Sequence, residues 1–139
     1  MKARIKWVEQ ATFLGESGSG HAVLMDGAPE VGGRNLGVRP MEAILIGLGG
    51  CTTFDVVSIL RKARQSIDDC VVEIEAERAD APPKIFTHIH IHYRVIGREI
   101  SRERVERAIA LSTEKYCSAT IMLGKAARIT HDYEIVERK

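Results

Sequence analysis

Residues 40–64 read PMEAILIGLGGCTTFDVVSILRKAR and predict one long helix. Pro40 suits the first helical turn, where its missing N–H costs nothing, and a helix over residues 41–64 is about 36 Å long. Its first half is apolar almost all round, which is typical of a helix buried in the middle of a structure. The glycines inside it cost about 1 kcal/mol each against alanine, so we expect another backbone or a substrate to approach closely there. These glycines are Gly47, Gly49 and Gly50.

Shorter elements flank this helix on both sides. Alternating apolar and polar residues predict strands, and a serine followed by apolar residues at helical spacing predicts a capped second helix. Elements grouped in this way are typical of an α+β domain with a mostly antiparallel sheet, here a single domain over residues 1–139. The predicted order is strands 3–7, 11–16 and 21–25, a long loop 27–39, the helix, strands 70–78 and 85–96, a helix from Ser101 to about residue 113, a short helix 117–125 and a strand 128–136.

Composition limits the class of protein. The chain has 139 residues, of which 45% are hydrophobic and 28% charged, so it is long and apolar enough for one globular domain. A net charge of +1 gives no basic excess for binding nucleic acid or an anionic membrane. The first seven residues lack an apolar signal core, and the apolar run 41–51 is shorter than the roughly 20 residues of a membrane span. We therefore expect a soluble cytoplasmic protein that binds neither nucleic acid nor a membrane.

Three histidines share one face of the strand 85–96. Successive positions on that face, His88, His90 and His92, are about 6.6 Å apart, so two neighbours can chelate a metal ion while three cannot converge on one. Elsewhere in the sequence, no pair of residues has the spacing of metal ligands that could supply a third one. A polar strand face is the favoured interpretation, and no metal site is expected.

The cysteines have two open interpretations. Cys51, Cys70 and Cys117 are too few for a disulfide framework and fall in no metal-ligand spacing, so each is explained by burial as a small apolar residue. The two glycines before Cys51 would also expose its sulfur to a ligand or a facing helix. Cys117 begins a predicted helix, and helix N-termini stabilise thiolates.

Two carboxylates lie on the long helix. Asp55 follows Cys51 by four residues and so shares its helix face; it is either hydrogen-bonded to a neighbouring element or tied to Cys51 chemistry. Glu42 lies in the first turn, where the helix dipole favours a carboxylate by about 0.3–1 kcal/mol. A role for Glu42 as a general base or orienting group is the alternative.

Three short motifs resemble the OsmC/Ohr family of osmotically inducible and organic-hydroperoxide-resistance proteins. They are PMEA at residues 40–43, GGC at residues 49–51 and EKYCS at residues 114–118. The likeness covers essentially the whole chain and is strongest to the YhfA-like branch. It implies an OsmC-like α+β fold: an intertwined homodimer whose mostly antiparallel sheets wrap two long central helices, with active sites at the subunit interface.

The resemblance also implies a chemistry. Cys51 would attack a small organic hydroperoxide as a thiolate and become a sulfenic acid, which Cys117 would resolve as a disulfide. An external dithiol of the lipoyl type would restore both thiols. No metal, haem or flavin is implied, and Cys70 matches neither redox position.

The chain departs from the family pattern at two places. Family peroxidases have a glutamate directly after the proline that opens the long helix, whereas this chain has Met41 there and Glu42 one position later. They also carry an arginine in the early hairpin, where this chain has none; Arg34 and Arg39 are the candidate replacements, including across the dimer. These departures keep a second function open: a protein of this fold that binds an apolar small molecule or senses redox state without peroxidase turnover.

Overall fold

A computed structural model describes all residues from Met1 to Lys139 and confirms the α+β class. It contains two three-stranded sheets, and the chain divides into two compact units, Met1–Ile46 and Gly47–Lys139. The single domain over residues 1–139 stays a prediction. The strands are β1 (Ala3–Glu9), β2 (Thr12–Ser17), β3 (Ala22–Met25), β4 (Ser66–Arg78), β5 (Phe86–Arg98) and β6 (Arg128–Glu137). The helices are α1 (Pro40–Lys62), α2 (Arg102–Leu111) and α3 (Ser118–Leu123).

The first unit is an antiparallel meander followed by the long loop. Its strands pair in the order β1-β2-β3, and every residue of β1 is exposed, although the sequence predicted one buried face for this strand. The loop is tied together by Asp26, which accepts hydrogen bonds from the Thr12 hydroxyl and from the backbone N–H groups of Gly27, Arg34 and Leu36. Although burial opposes ionisation, these hydrogen bonds leave the pKa of Asp26 lowered.

The helix α1 buries one stripe instead of its whole circumference. The buried residues recur at a spacing of four, which is the period of a single helix face. Ile46 and Phe54 lie outside this stripe and are 61% and 73% exposed. The expectation of a helix surrounded on all sides is therefore wrong for the single chain. The buried residues are Leu48, Thr52, Val56 and Leu60.

Close approach occurs at only one of the three helix glycines. A Cβ at Gly49 would lie 3.2 Å from Ile74 Cδ1, whereas one at Gly47 or Gly50 would meet nothing within 4 Å. The close approach predicted at Gly47 and Gly50 is wrong within this chain. Their open surface belongs to the exposed side of α1.

By length and composition alone, α1 also satisfies the requirements of a membrane span. The sequence estimate counted only residues 41–51, whereas the apolar character continues through the second half of the helix. Of its most apolar 18-residue window, 22% is buried. The core helix of a soluble protein passes the same test, so this property is weak evidence for a membrane.

The second unit holds the main core. Its strands pair in the order β4-β5-β6, and β5 pairs antiparallel with β4 and parallel with β6. Strand β4 begins four residues earlier than predicted, at Ser66. Alternation along β5 holds as predicted, because Ile89, Ile91, Tyr93 and Val95 are fully buried while the histidines between them are half-buried.

A π-helical turn, Ser112–Tyr116, continues α2 and delivers the chain to Cys117. The cap of α2 is the predicted one, since the Ser101 hydroxyl accepts from the Arg104 N–H. The sequence predicted a regular α-helical end near residue 113. Instead, the chain continues with hydrogen bonds from each N–H to the carbonyl five residues earlier, as in Cys117 N–H to the Ser112 carbonyl. Such turns occur often at functional sites.

Candidate functional site

The structure brings Cys51 and Cys117 together in the second unit. Both are free thiols, and Cys51 lies close enough to Cys117 to raise the pKa of the Cys117 thiol. Cys51 is half-buried on α1, whereas Cys117 is completely buried at the N-terminus of α3. A molecule arriving from solvent therefore reaches Cys51 more readily than Cys117.

Burial raises the pKa of Cys117, and the neighbouring Cys51 adds to this effect. Contacts with Thr120 oppose it: the Thr120 N–H donates to Cys117 Sγ at 3.4 Å, and the Thr120 hydroxyl lies close enough to lower the pKa. That hydroxyl is buried and has no partner with hydrogen-bond geometry. Because burial prevails, the thiolate stabilisation expected from the helix N-terminus does not lower the pKa of Cys117.

A line of buried hydroxyls ends at Asp55. The Thr52 Oγ1 lies 2.7 Å from the Tyr93 hydroxyl and 2.8 Å from Ser112 Oγ, and Ser112 donates to Asp55 Oδ2 at 3.0 Å. A hydroxyl has one proton to donate, so Ser112 must accept from Thr52, and Thr52 must accept from Tyr93. All the donors point toward the carboxylate. Burial raises the pKa of Tyr93 to about 12, which keeps this first donor protonated.

Asp55 thus has the hydrogen bond to a neighbouring element that the first of its two interpretations requires. The partner, Ser112, belongs to the turn that leads to Cys117, so the bond also links Asp55 to the thiol pair. The sequence did not point to Ser112, Thr52 or Thr120. Thr52 had one signal, its position next to Cys51, while Ser112 fell inside a predicted helix.

Glu42 and Arg39 meet at the start of α1 in the first unit. The Glu42 carboxylate accepts from the Arg39 backbone N–H at 2.8 Å, which is one half of a capping box. The Arg39 guanidinium donates to Asn35 Oδ1 at 2.8 Å and to the Gly37 carbonyl. Both contacts serve the helix start and the loop before it.

Arg34 anchors the same loop. Its guanidinium donates to Thr12 Oγ1 at 3.1 Å and forms an ion pair with Glu9 at 3.2 Å. Thr12 also donates to Asp26, so the guanidinium joins the hydrogen-bond cluster that ties the loop together. The catalytic parts predicted for Arg34, Arg39 and Glu42 stay predictions.

The three histidines form a hydrogen-bonded ladder with β6. Thr130 bridges His88 and His90 at 2.8 and 2.7 Å, and Asp132 bridges His90 and His92 at 3.0 and 2.8 Å. No group of three His, Cys, Asp or Glu side chains is arranged to hold a metal ion. These hydrogen bonds to Thr130 and Asp132 are those of a polar strand face.

Cys70 lies on β4, outside the thiol pair. Burial, with Asp69 beside it, raises its pKa to about 11. A thiol with such a pKa stays protonated at neutral pH and is a poor nucleophile. This environment agrees with a Cys70 that takes no part in redox chemistry.

The sequence of this chain matches a known protein family and curated relatives. The family model described as OsmC-like protein matches residues 32–132. The chain belongs to the OsmC family. It is 52% identical over 139 residues to Protein YhfA from Escherichia coli strain K12, and the match covers 98% of each chain. This confirms the resemblance to the YhfA-like branch.

Solved structures share the fold of this chain. A hypothetical protein from Aquifex aeolicus VF5 superposes with a TM-score of 0.87 at 29% identity, covering 99% of this chain and 97% of the other. An organic hydroperoxide resistance protein OsmC from Legionella pneumophila superposes with a TM-score of 0.73 at 15% identity, covering 96% of this chain and 95% of the other. At 15% identity, the second likeness concerns the fold alone.

Proposed function

We propose that this protein reduces organic hydroperoxides with Cys51 and Cys117 as its redox pair, in defence against oxidative stress. The observation that carries the proposal is the pairing of two free thiols from distant parts of the chain, one half-exposed and one fully buried. Membership in a family that includes hydroperoxide-resistance proteins supports the same chemistry.

The reaction has three steps. The Cys51 thiolate attacks the peroxide, an S–O bond forms, the O–O bond breaks, and the leaving alkoxide takes a proton to become an alcohol. The Cys117 sulfur then attacks the Cys51 sulfenic acid; an S–S bond forms, the S–O bond breaks, and water leaves with the Cys117 proton. An external dithiol of the lipoyl type reduces the disulfide and becomes a disulfide itself. The protein supplies both sulfurs and needs no metal, haem or flavin.

The exposed apolar surfaces favour a homodimer. In the first unit, Ile5 and Trp7 on β1 are 59% and 64% exposed, and in the second unit Phe54 on α1 is 73% exposed. Apolar areas of this kind mark interaction surfaces. A second copy of the chain would cover them and could bring Arg34 or Arg39 to the Cys51 of its partner. Free thiols suit the reducing cytoplasm.

Catalytic turnover tests the proposal. With a lipoyl-type dithiol in excess, we expect the wild-type protein to consume many equivalents of cumene hydroperoxide. Cys51→Ser should abolish consumption, whereas Cys70→Ser is the matched control and should retain it. Consumption of no more than one equivalent per chain would contradict the proposal.

A second function is favoured by an apolar depression along α1, which Gly50 lines but Cys51 does not. It has a volume of about 640 Å³ and is lined by Gly50, Thr53, Phe54, Val57, Ser58, Arg61 and Lys62. Such a surface suits an apolar ligand, and the protein would then bind a small molecule or sense redox state in one oxidation. Asp55 is not among the lining residues and bonds Ser112 instead.

A further inference from the structure

The turn between α2 and Cys117 is hydrogen-bonded to α1 at two residues that lie within four positions of Cys51, both on its C-terminal side. Ser112 begins this π-helical turn, and its hydroxyl bonds Thr52 and Asp55, which follow Cys51 by one and four residues. At the other end of the turn, the Cys117 N–H donates to the Ser112 carbonyl at 2.8 Å. Ser112 therefore connects the backbone of Cys117 to the helix that carries Cys51. We name Thr52, Ser112 and Asp55 the clasp.

The clasp is built as a rigid unit. Thr52 and Ser112 are fully buried, so neither hydroxyl can exchange its partner for water. Each hydroxyl both donates and accepts, and Ser112 donates the last proton to the Asp55 carboxylate. Breaking any one contact would strand a polar atom in the core. The turn is thereby held in one position.

Forming a disulfide demands such positioning. An S–S bond of about 2.05 Å requires Cβ atoms about 3.5–4.5 Å apart and a defined dihedral angle. The attack of Cys51 on the peroxide has no such requirement, since it involves Cys51 and a diffusing molecule. Only the second step depends on where the turn holds Cys117.

We propose that Ser112 is a positioning residue that holds Cys117 in register with Cys51 and thereby sets the rate of disulfide closure. The inference rests on the proposed two-cysteine reaction. The step concerned is attack of the Cys117 sulfur on the Cys51 sulfenic acid, in which an S–S bond forms, an S–O bond breaks and water leaves. Its oxidising equivalents come from the organic hydroperoxide. Without the clasp, the sulfenic acid persists.

The test separates the two steps by rapid mixing with cumene hydroperoxide. A dimedone-type reagent traps the sulfenic acid, and non-reducing mass spectrometry counts the disulfide. In Ser112→Ala we expect sulfenic acid to form within about twofold of the wild-type rate and disulfide closure to slow by at least about tenfold. Asp55→Ala removes the carboxylate that accepts the Ser112 hydrogen bond and should slow disulfide closure by a similar factor. The double variant should be no slower than the slower single one, because both changes open the same clasp.

Tyr93→Phe is the matched control. It also removes a buried hydroxyl, but the Tyr93 hydroxyl only donates into Thr52, so its loss leaves the bonds of Ser112 in place. We expect closure at the wild-type rate. Wild-type closure in Ser112→Ala would overturn the inference, and so would equal slowing in Ser112→Ala and Tyr93→Phe, which would mean that any lost core hydroxyl has this effect.

Failure of the proposed function leaves this test intact. If cumene hydroperoxide does not oxidise the wild-type protein, diamide serves as the oxidant: it forms an adduct with one thiol, and the second thiol displaces it to close the disulfide. Slower closure in Ser112→Ala than in Tyr93→Phe would then support the positioning role by itself. Equal closure rates in these two variants would overturn it.

Discussion

At the scale of single residues, the two thiols of the pair differ in their access to solvent. Cys51 is half-buried, whereas Cys117 is fully buried and its pKa is raised, chiefly by burial. Burial of this kind protects a thiol from reagents and keeps it protonated until a partner sulfur is in place. This difference in access supports the proposed role of Cys51 as the attacking thiol.

Alkylation measures that difference. We expect iodoacetamide at pH 8 to modify Cys51 first in the folded protein, because Cys117 has no exposed surface and Cys70, with a pKa of about 11, is about one part in a thousand thiolate at that pH. Peptide mapping by mass spectrometry identifies the modified residue. Unfolded protein is the control, in which all three should react. Equal modification of Cys51 and Cys117 in the folded state would contradict the assignment.

The hydroxyl line predicts an order of stability losses. Thr52→Val strands the Tyr93 hydroxyl and leaves Ser112 one partner short, so we expect it to lower the free energy of unfolding by about 1–3 kcal/mol. Tyr93→Phe strands no donor and should cost about 0.5–1.5 kcal/mol. Urea denaturation measures both. A larger loss for Tyr93→Phe would contradict the donor directions deduced for this line.

How far the sequence predicted these residues depends on the range of the contacts. The motif around Cys51 and Cys117 predicted the thiol pair because the family resemblance carries it. The part that Ser112 plays in the site could not be predicted, because its partners on α1 are distant in sequence and contact it only in the folded chain. Asp55 was predicted in part: its position on the same helix face as Cys51 was predictable, whereas its hydrogen-bond partner Ser112 was not.

At the scale of elements, the outer face of the second sheet is an alternating row of acids and bases. The hydrogen bond to Asp132 raises the pKa of His92, and Glu134 raises it further. In turn, His92 and His90 lower the pKa of Asp132, while Arg94 and then His92 lower that of Glu134. Glu73 on β4 also faces this row, opposite His92.

This row makes stability depend on pH. A raised folded-state pKa means that His92 contributes stability below about pH 6.5, and that the contribution is lost as pH rises through the raised value. The lowered pKa values of Asp132 and Glu134 contribute above their ordinary values of 3.8 and 4.5 and are lost as pH falls through the lowered ones. The row is therefore most stabilising between about pH 4.5 and 6.5.

Asp132→Asn tests the row directly. We expect it to reduce the free energy of unfolding more at pH 6 than at pH 8.5. The Asp132 carboxylate stabilises the protonated form of His92, and this form is far more populated at pH 6. Urea denaturation at both values measures the effect. Asp80→Asn, at an exposed carboxylate outside the sheet, is the control. Equal losses at the two values would contradict this account.

Element type was predictable from sequence, and pairing was not. Periodicity placed α1 within two residues of its ends and gave the buried face of β5 correctly. Alternation along a strand is the same in parallel and antiparallel sheets, so the parallel pairing of β6 with β5 could not be predicted from it. Extension of α2 by a π-helical turn depends on side-chain contacts that periodicity does not report.

At the scale of the whole molecule, apolar surface remains uncovered. The exposed side of α1 carries Phe54 and Ile46, and strand β1 is exposed along its full length. The sequence predicted burial for the apolar first half of α1 and for the apolar face of β1. The residue pattern alone does not say which chain supplies the covering surface. The homodimer proposed above would supply that surface.

A charge on that surface tests the dimer. We expect wild-type protein to sediment at twice its 15.4 kDa chain mass, and Phe54→Glu to shift it toward the monomer, because burying an unpaired carboxylate is costly. Ile85→Glu, in the turn before β5, is the control and should remain dimeric. Analytical ultracentrifugation measures the mass. A monomeric wild-type protein would contradict the homodimer.

The central claim is that Cys51 and Cys117 form a disulfide on reaction with a hydroperoxide. A free-thiol count on denatured protein, before and after one equivalent of cumene hydroperoxide, tests it most directly. Three thiols should fall to one, and Cys51→Ser should abolish this loss. Three thiols surviving prolonged exposure would contradict the claim and make ligand binding the leading account.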